Sequence, residues 1–573
     1  MKTDLELLAS RLAADDAEQL KAIYEPVVVG VPAADSRTSL CVMPDGELRC
    51  YGEIENGPTG KKRVCLISAD CGLSWKKKYM DPDAMGSAAR LPGSGRYVTV
   101  IHREDGVYAL LSDVGPGDPN PKTVRICDAS YNDMFQPVML KQRRRLLCTM
   151  HHMVLTDTDY QFNPVVISSD DDGESWTVHQ LPSVPRFEVC YPHAGKRWNN
   201  NGGEPYLTEM PDGRLMLIAR TSQDYFYVYY SDDAGDTWTG GEPSVFHGTL
   251  TTPFFLPMSD GRTVFFWNNN RPLPELDKSL LVPPQGRDIF DGRWEDVFTN
   301  RDISHAAVSR DCRTWTGFRE LYLNSIRNES DFRSRGGLES SNDRSVHQFQ
   351  AMELPFGKVL VSVGQNEVCR RLLIFDPDWL EETGRSENFR RGLQAVSTFL
   401  YVNSFSGSCC SGHCAWNRTN GALLVPSPDG AWEEALQICR VPDPRLFSDR
   451  QGVVWNFPAM KRGSVSVELT VIDAGLRVCL CDHWMNPCDV YAPLYAAFTL
   501  ELDRPRIGGG RQTIRVEFDT EAGRASVFRG DSVLFAVKMT NPAPTGLSYL
   551  HLQTLAEGAD PTGSYVHSLR AER

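Results

Sequence analysis

The chain has few cysteines, no long apolar run and no excess of positive charge, and each absence excludes a class of protein. Its 573 residues include 16 cysteines, far below the density of a disulfide scaffold. No apolar run approaches the ~18 residues of a membrane-spanning helix. The net charge of −14 argues against binding to nucleic acid or an anionic membrane, because contacts to phosphate need clustered lysine and arginine. With 41% hydrophobic and 23% charged residues, the composition is that of a soluble globular protein rather than a disordered chain or a fibre.

The first twenty residues carry acidic side chains early and contain no long apolar segment, unlike a secretory signal. We therefore expect a cytoplasmic protein with mostly reduced, buried cysteines, or a secreted one if a signal peptide has been removed. Two groups of cysteine and histidine have a zinc-like composition: Cys409, Cys410, His413 and Cys414, and Cys479, Cys481, His483 and Cys488. Neither contains two separated Cys-x-x-Cys pairs, so we interpret both as structural and expect no metal and no cofactor.

One eight-residue pattern, Ser-x-Asp-x-Gly-x-Ser/Thr-Trp, occurs three times. It spans Ser68–Trp75, Ser169–Trp176 and Ser231–Trp238, and a shortened copy spans Ser309–Trp315. Aspartate and serine side chains bond nearby backbone N–H groups, and glycine permits a positive φ. Each copy therefore predicts a fixed turn whose tryptophan packs on a neighbouring unit.

Six tight turns between apolar strands form a second repeat. Five are centred on a glycine and one on an arginine: Gly46, Gly95, Arg144, Gly213, Gly261 and Gly357. Each turn is followed by a copy or a remnant of the first pattern, so the chain contains six similar units. Units with alternating apolar strands and two turns each predict an all-β, six-bladed β-propeller over residues 25–385.

The segments on either side of these units differ in character. Residues 1–24 predict a short N-terminal helical segment that packs outside the propeller. Residues 386–573 contain strand-like runs separated by turn residues, which predict a C-terminal β-sandwich of jelly-roll or lectin-like type. The sandwich either packs on the propeller or binds carbohydrate, and we favour packing.

The tight turns also locate a candidate site. In each blade the turn joins strands one and two, so the start of strand one and the end of strand two lie at the opposite end of the propeller. Counting nine residues back and seven forward from the turn glycines gives Arg37, Glu204, Thr252 and Gln348, and Glu53, Arg220, Asn268 and Gly364. His151 and His152 end a strand at this same mouth. A mouth lined by arginines, acids, amides and histidines is a natural concave site for a small ligand.

The Ser-x-Asp-x-Gly-x-Ser/Thr-Trp copies resemble the Asp-boxes of the sialidase-type (BNR) β-propellers. The resemblance implies an exo-acting glycoside hydrolase that releases a terminal, carboxylate-bearing sugar from an oligosaccharide or glycoconjugate, as an exo-α-sialidase does. It also implies three arginines that grip one carboxylate, for which Arg37, Arg220 and Arg301 are the candidates. Glu204, sixteen residues before Arg220, matches the catalytic glutamate of that family.

Two parts of a sialidase site have no counterpart at the matching positions. Where sialidases keep a nucleophilic tyrosine, residues 346–349 read Val-His-Gln-Phe. The first-blade loop that supplies an aspartic acid, residues 53–63, contains no aspartate. We interpret the chain as a divergent member, with His347 as the candidate general acid or base and Glu53 or Glu55 as the substitute acid.

A long insertion at residues 269–300 leaves the mouth end of blade five and is expected to cover the axial site. The insertion and the residues that follow it bring Arg301, Asp302 and His305 as candidates for substrate contacts. Asn268 and Gln348, two of the positions counted from the turn glycines, are further candidates. The loop that leads to Glu204 adds Trp198, which either stacks on a sugar or belongs to the core.

Two other functions fit the same residues. A lyase would use a histidine to abstract a proton beside a uronate carboxylate neutralised by arginines, and a non-catalytic protein would bind carbohydrate with either domain. We expect an oligosaccharide or glycoside as the partner, and neither nucleic acid nor a membrane. The sequence leaves the oligomeric state open, a homo-oligomer included.

Overall fold

The computed structural model describes residues 2–34, 38–57, 60–155, 160–193, 197, 200–272, 301–323, 327–328, 345–364, 369–405, 416–430 and 432–573. Within these residues the chain is almost wholly β-structure, with 40 strands and four short α-helices. None of the described helices is both long and apolar enough to cross a bilayer.

Two helices precede the first strand. α1 spans Asp4–Arg11 and α2 spans Ala14–Ala22, with Leu12 and Ala13 in extended conformation between them. The single N-terminal helix that we expected is therefore divided in two. The break allows both helices to bury leucines in one apolar cluster with the propeller, namely Leu7, Leu8 and Leu20.

Six antiparallel sheets follow one another along the chain, and the first strand, β1 (Val27–Gly30), belongs to the last of them. Sheets one to three contain β2 (Leu40–Val42), β3 (Leu48–Gly57), β4 (Gly60–Ser68) and β5 (Lys76–Met80); β6 (Ala89–Arg90), β7 (Tyr97–Arg103), β8 (Gly106–Ser112) and β9 (Lys122–Cys127); and β10 (Tyr131–Asn132), β11 (Val138–Met139), β12 (Leu146–Leu155), β13 (Tyr160–Ser169) and β14 (Thr177–Gln180). Sheets four to six contain β15 (Asn201–Glu209), β16 (Leu215–Thr221), β17 (Tyr225–Ser231) and β18 (Thr239–His247); β19 (Phe254–Pro257), β20 (Thr263–Trp267), β21 (Ile303–Ser309) and β22 (Thr316–Leu323); and β23 (Phe349–Glu353), β24 (Val359–Val363) and β25 (Arg371–Phe375).

The ring of sheets closes through the N-terminal strand. β1 pairs with β25, Val27 lying opposite Ile374, so sheet six has the order β1-β25-β24-β23. The first strands of neighbouring sheets also touch, as β15, β19 and β23 do around the axis. The predicted all-β, six-bladed propeller is therefore confirmed within the described residues.

The repeated turns lie between the third and fourth strands of their sheets. In each complete copy the serine hydroxyl accepts a hydrogen bond from the glycine N–H, and the aspartate accepts one from the N–H of the residue before tryptophan. The oxygen–nitrogen distances at the serines are 2.7 Å for Ser68, 2.9 Å for Ser169 and 2.8 Å for Ser231. Those at the aspartates are 3.0 Å for Asp70, 2.8 Å for Asp171 and 2.9 Å for Asp233.

The remaining strands form a β-sandwich. One sheet has the order β30-β31-β40-β33-β36-β37-β38 with β26 added beside β40, the other has the order β27-β32-β39-β34-β35, and β28 and β29 form a hairpin. The bounds are β26 (Gly384–Glu387), β27 (Val396–Ser397), β28 (Leu400–Phe405), β29 (Trp416–Thr419), β30 (Leu423–Pro426), β31 (Glu434–Arg440), β32 (Gly452–Met460), β33 (Arg462–Val471), β34 (Leu476–Cys481), α3 (Ala492–Tyr495), β35 (Phe498–Leu502), α4 (Arg504–Ile507), β36 (Gly510–Asp519), β37 (Arg524–Arg529), β38 (Ser532–Lys538), β39 (Leu547–Thr554) and β40 (Asp560–Glu572). The two large sheets enclose one apolar core that includes Trp455, Phe457 and Leu550.

Buried polar contacts join the sandwich to blade five. Asn456 of β32 donates its amide N–H to the Phe318 carbonyl at 3.0 Å and accepts the Glu320 N–H at 3.1 Å. Further along, the Trp484 N–H donates to the Asn269 carbonyl at 2.8 Å. The sandwich therefore docks beside the strand end from which the 269–300 insertion leaves.

Candidate active site

A buried ion pair between Glu204 and Arg220 lies at the centre of the candidate site. Glu204 is near the start of β15 and Arg220 is near the end of the neighbouring β16, and Arg220 Nη1 donates to Glu204 Oε2. The other carboxylate oxygen, Oε1, accepts a hydrogen bond from Gln348 Nε2 at 3.3 Å. A buried carboxylate is tolerated when it is paired and hydrogen-bonded, and an adjacent guanidinium favours its ionised form.

Three blades meet at this carboxylate. Gln348, just before β23 in blade six, donates its backbone N–H to Thr252 Oγ1 in front of blade five at 3.0 Å. Glu204, Arg220, Thr252 and Gln348 are four of the positions counted from the turn glycines, and the structure brings them together.

The backbone is strained at two of these positions. Glu204 has φ +42° and Gln348 has φ +71°, a region that non-glycine residues occupy at a cost of about 1–3 kcal/mol. Both residues stand nine positions before their turn glycine. The same strain at the same register in two blades is typical of a position kept for function rather than for packing.

Asp133 and His151 extend the site into blade three, and sequence reasoning did not single out Asp133. His151 Nδ1 accepts the Glu204 N–H at 3.4 Å, and His151 Nε2 lies 3.7 Å from Asp133 Oδ2. Accepting at Nδ1 places the imidazole proton on Nε2, which faces Asp133. The Asp133 side chain is 31% exposed and its φ is +50°, so this carboxylate is open to solvent where Glu204 is not.

The signal that could have found Asp133 is the pairing of the short strand before it. Tyr131 and Asn132 form β10 and pair with His152 and His151 of β12. Because the inner part of blade three is divided between β10 and β11, and its turn has no glycine, counting from a turn glycine finds no residue there.

Three other predicted residues lie close to this group. Arg301 is buried and donates from Nη1 to the Leu250 carbonyl at 3.0 Å, and the Leu250 N–H donates to the carbonyl of Thr221, next to Arg220. His347 is buried beside Gln348, and its carbonyl accepts the Gly364 N–H at 2.9 Å. Asn268 donates its amide to the carbonyls of Ile303 and Val346, so it holds the backbone that leads to His347.

Asp302 and His305, which we expected to contact substrate, lie at the contact between the propeller and the sandwich. Asp302 pairs with Arg418 and accepts the Tyr401 hydroxyl. His305 Nε2 lies 2.6 Å from the Tyr549 hydroxyl, and burial lowers the His305 pKa to about 3. Both side chains are thus engaged by sandwich residues rather than by the Glu204 group.

The remaining predicted residues are Glu53, Arg37 and Trp198. Glu53 is exposed on β3 and makes no hydrogen bond or ion pair with any residue that the structure describes. Arg37 and Trp198 lie outside the described residues.

The fold and one family comparison agree. Residues 134–332 match the family model described as a BNR repeat-like domain, and these residues span blades three to five of the six-bladed ring. This chain contains a BNR repeat-like domain. No curated protein matches its sequence.

The solved structures that are similar to this chain include two sialidases and a xylosidase. The Trypanosoma rangeli sialidase in complex with 2,3-difluorosialic acid has 12% identity over 94% of this chain and 91% of that chain, with a TM-score of 0.34. The NanB sialidase of Streptococcus pneumoniae has 11% identity over 64% and 73%, with a TM-score of 0.34. A xylan β-1,4-xylosidase of Bacillus halodurans has 8% identity over 95% and 99%, with a TM-score of 0.27. Likeness at this level says nothing about substrate or mechanism.

Of the two groups of cysteine and histidine with a zinc-like composition, the structure describes the second. Cys479, Cys481 and Cys488 are buried and free, and burial raises the pKa of Cys479 and of Cys488 to about 12. Thiols with such pKa values are protonated at neutral pH. The group at residues 409–414 lies outside the described residues.

Proposed function

We propose that this protein is a sialidase-like propeller and an exo-acting glycoside hydrolase that releases a terminal, carboxylate-bearing sugar from oligosaccharides or glycoconjugates. The observation that carries the proposal is the Glu204 carboxylate, held at the axial mouth by Arg220 and Gln348. A second, half-buried carboxylate, Asp133, is linked to Glu204 through His151, whose ring contacts the Glu204 backbone N–H and the Asp133 side chain. Two carboxyl groups at one site are the basic equipment of glycoside hydrolysis.

The arginines of the mouth support an acidic sugar as substrate. Arg220 and Arg301 are linked through hydrogen bonds of the Leu250 backbone. The Leu250 carbonyl accepts from Arg301, and the Leu250 N–H donates to the carbonyl of Thr221, which follows Arg220. Guanidinium groups bind carboxylates through planar, bidentate hydrogen bonds. Arg37 is the third candidate for this role.

The missing tyrosine favours water as the nucleophile. In this mechanism the water oxygen attacks the anomeric carbon while Glu204 accepts a proton from that water molecule. Asp133 donates a proton to the departing glycosidic oxygen. The His151 ring connects the Glu204 backbone N–H to the Asp133 carboxylate, and an inverting mechanism needs a water molecule between the two carboxyl groups. His151 and His347 are positioning residues in this account, and the proposed product has the inverted configuration.

A turnover screen with three proteins tests the proposal. The panel contains aryl and natural glycosides of sialic acids, other 2-keto-3-deoxy acids, uronic acids and neutral sugars, each assayed for released sugar. We expect Glu204→Gln to lower kcat about 10³-fold. Glu209→Gln on the same strand is the control, since the Glu209 side chain accepts the backbone N–H groups of Lys141 and Gln142 and lies outside the Glu204 group.

Other outcomes separate the alternatives. A product with ultraviolet absorbance from a new double bond would identify a lyase. Binding without turnover, unchanged by Glu204→Gln, would identify a carbohydrate-binding protein. Turnover that Glu204→Gln leaves intact would remove Glu204 from the mechanism.

A further inference from the structure

Two histidines and an aspartate meet where blade four contacts the sandwich, away from the Glu204 group. His247 is the last residue of β18, and Asp482 and His483 directly follow β34. All three are buried. His247 Nε2 lies 3.2 Å from Asp482 Oδ2, and His483 Nδ1 lies 2.6 Å from Asp482 Oδ1. One donor atom from each residue falls within 4.8 Å of the other two.

This donor set suits a divalent transition metal. Two imidazoles and one carboxylate are common ligands of zinc and of iron(II). Donors at about 2.0–2.2 Å from one tetrahedral ion lie roughly 3.3–3.5 Å apart, close to the separation between His247 and Asp482. His483 Nδ1 lies closer to Asp482 Oδ1 than this, at 2.6 Å, and metal binding would lengthen that contact.

Unpaired polar atoms surround the same group. His247 Nδ1, His483 Nε2 and Asn269 Oδ1 are buried and have no hydrogen-bond partner among the described residues. Leaving a buried polar atom without a hydrogen bond is energetically costly, and a bound metal ion would satisfy atoms of this kind. Asn269 Nδ2 donates to the Asp482 carbonyl at 2.8 Å, so its amide group lies beside the cluster and offers an oxygen as a further ligand.

We propose that His247, Asp482 and His483 bind one divalent transition metal ion of the zinc type, which joins the propeller to the sandwich. His247 belongs to the propeller and the other two ligands belong to the sandwich. The ion would therefore connect β18 of blade four to the sandwich loop that follows β34. The segments around Asn270 and Trp484 already form a parallel bridge next to the ligands. The ion therefore fixes the sandwich loop against the strand end from which the 269–300 insertion leaves.

Metal titration of the full-length protein tests the proposal. The protein is stripped with a chelator, dialysed, and titrated with Zn²⁺ by calorimetry, with bound zinc counted by mass spectrometry. Co²⁺ is added separately, because its visible absorption reports nitrogen and oxygen ligation. We expect one ion per chain with a Kd below micromolar, and a rise in Tm on adding Zn²⁺.

The variants His247→Gln and His483→Gln are each expected to weaken Zn²⁺ binding at least 100-fold and to abolish the Tm rise. His551→Gln is the matched control, since His551 is also buried in the sandwich but contacts the Asn486 carbonyl. Stripped wild-type protein that binds no Zn²⁺ or Co²⁺ would overturn the proposal even if a variant fails to fold. Equal affinity in the two ligand variants and the control would also overturn it.

Discussion

At the scale of single residues, two glutamines on one edge of blade six have different roles: one contacts the candidate site and the other joins two blades. Gln348 donates to the Glu204 carboxylate. Gln350, two residues on, accepts the N–H groups of Ser39 and Leu40 at 2.7 Å and donates to the Leu40 carbonyl at 3.1 Å. The first side chain serves the candidate site, and the second joins blade six to blade one.

Alanine at each position is expected to have a different effect. Gln348→Ala removes one hydrogen bond from the ionised Glu204 and is expected to lower kcat about 10- to 100-fold with KM little changed. Gln350→Ala leaves two buried backbone N–H groups unpaired and is expected to lower the free energy of unfolding by about 2–4 kcal/mol with kcat unchanged. Steady-state kinetics and urea unfolding of both variants check this. A larger loss of kcat in Gln350→Ala than in Gln348→Ala would contradict the assignment.

The sequence located some site residues and missed others for a physical reason. Counting from the turn glycine works where a glycine turn joins two undivided inner strands, as in blades four and six, and it gave Glu204, Arg220 and Gln348. It fails in blade three, whose divided inner strand displaces Asp133 from that register. Docking of the sandwich, which no local pattern encodes, decides that Asp302 and His305 face Arg418 and Tyr549.

At the scale of elements, the eight-residue repeat predicted both the turn and its place in the blade because all of its hydrogen bonds are local. The aspartate, serine and glycine of one copy lie within a few residues of one another, so each copy specifies its own conformation. The N-terminal helices and the closing strand β1 behave differently. Their positions depend on partners more than 300 residues away, such as Ile374 for Val27, and their local sequence carries no sign of that pairing.

Adjacent aspartates in blade four allow the repeat to be tested. Asp233 accepts hydrogen bonds from Ser231, from the Thr237 N–H and from the Thr237 hydroxyl. Burial raises the pKa of Asp233, but the Thr237 and Ser231 hydrogen bonds outweigh this and hold the pKa at about 2. Asp232 points to solvent and, among the residues that the structure describes, pairs with Arg214 alone.

We expect Asp233→Ala to lower the free energy of unfolding by about 1–2 kcal/mol, because three hydrogen bonds at the turn are lost. Asp232→Ala is expected to change it by less than about 0.5 kcal/mol, as a surface ion pair contributes little. Urea unfolding at pH 7 measures both. Equal effects of the two substitutions would show that the repeat does not stabilise its turn.

At the scale of the whole molecule, the contact between propeller and sandwich is buried and polar. The pairs Asp302–Arg418 and His305–Tyr549 cross it, as does the Asn456 side chain. Unpaired buried polar groups are costly, so separating the two domains would leave several of these groups without partners. We therefore expect the two domains to unfold together.

Buried neutral histidines make this stability depend on pH. Burial lowers the pKa of His305 to about 3 and that of His551 to about 4, from an ordinary value of 6.5. Below pH 6.5 the unfolded chain takes up protons that the folded protein does not, so the free energy of unfolding falls as pH decreases towards 4. His551 alone contributes a loss of roughly 2–3 kcal/mol between pH 7.5 and 4.5. Because glutamine can still donate to the Asn486 carbonyl but cannot titrate, His551→Gln is expected to remove that part of the pH dependence. Urea unfolding of wild-type protein and variant at both pH values measures the difference, and parallel profiles would show that His551 is protonated in the folded state.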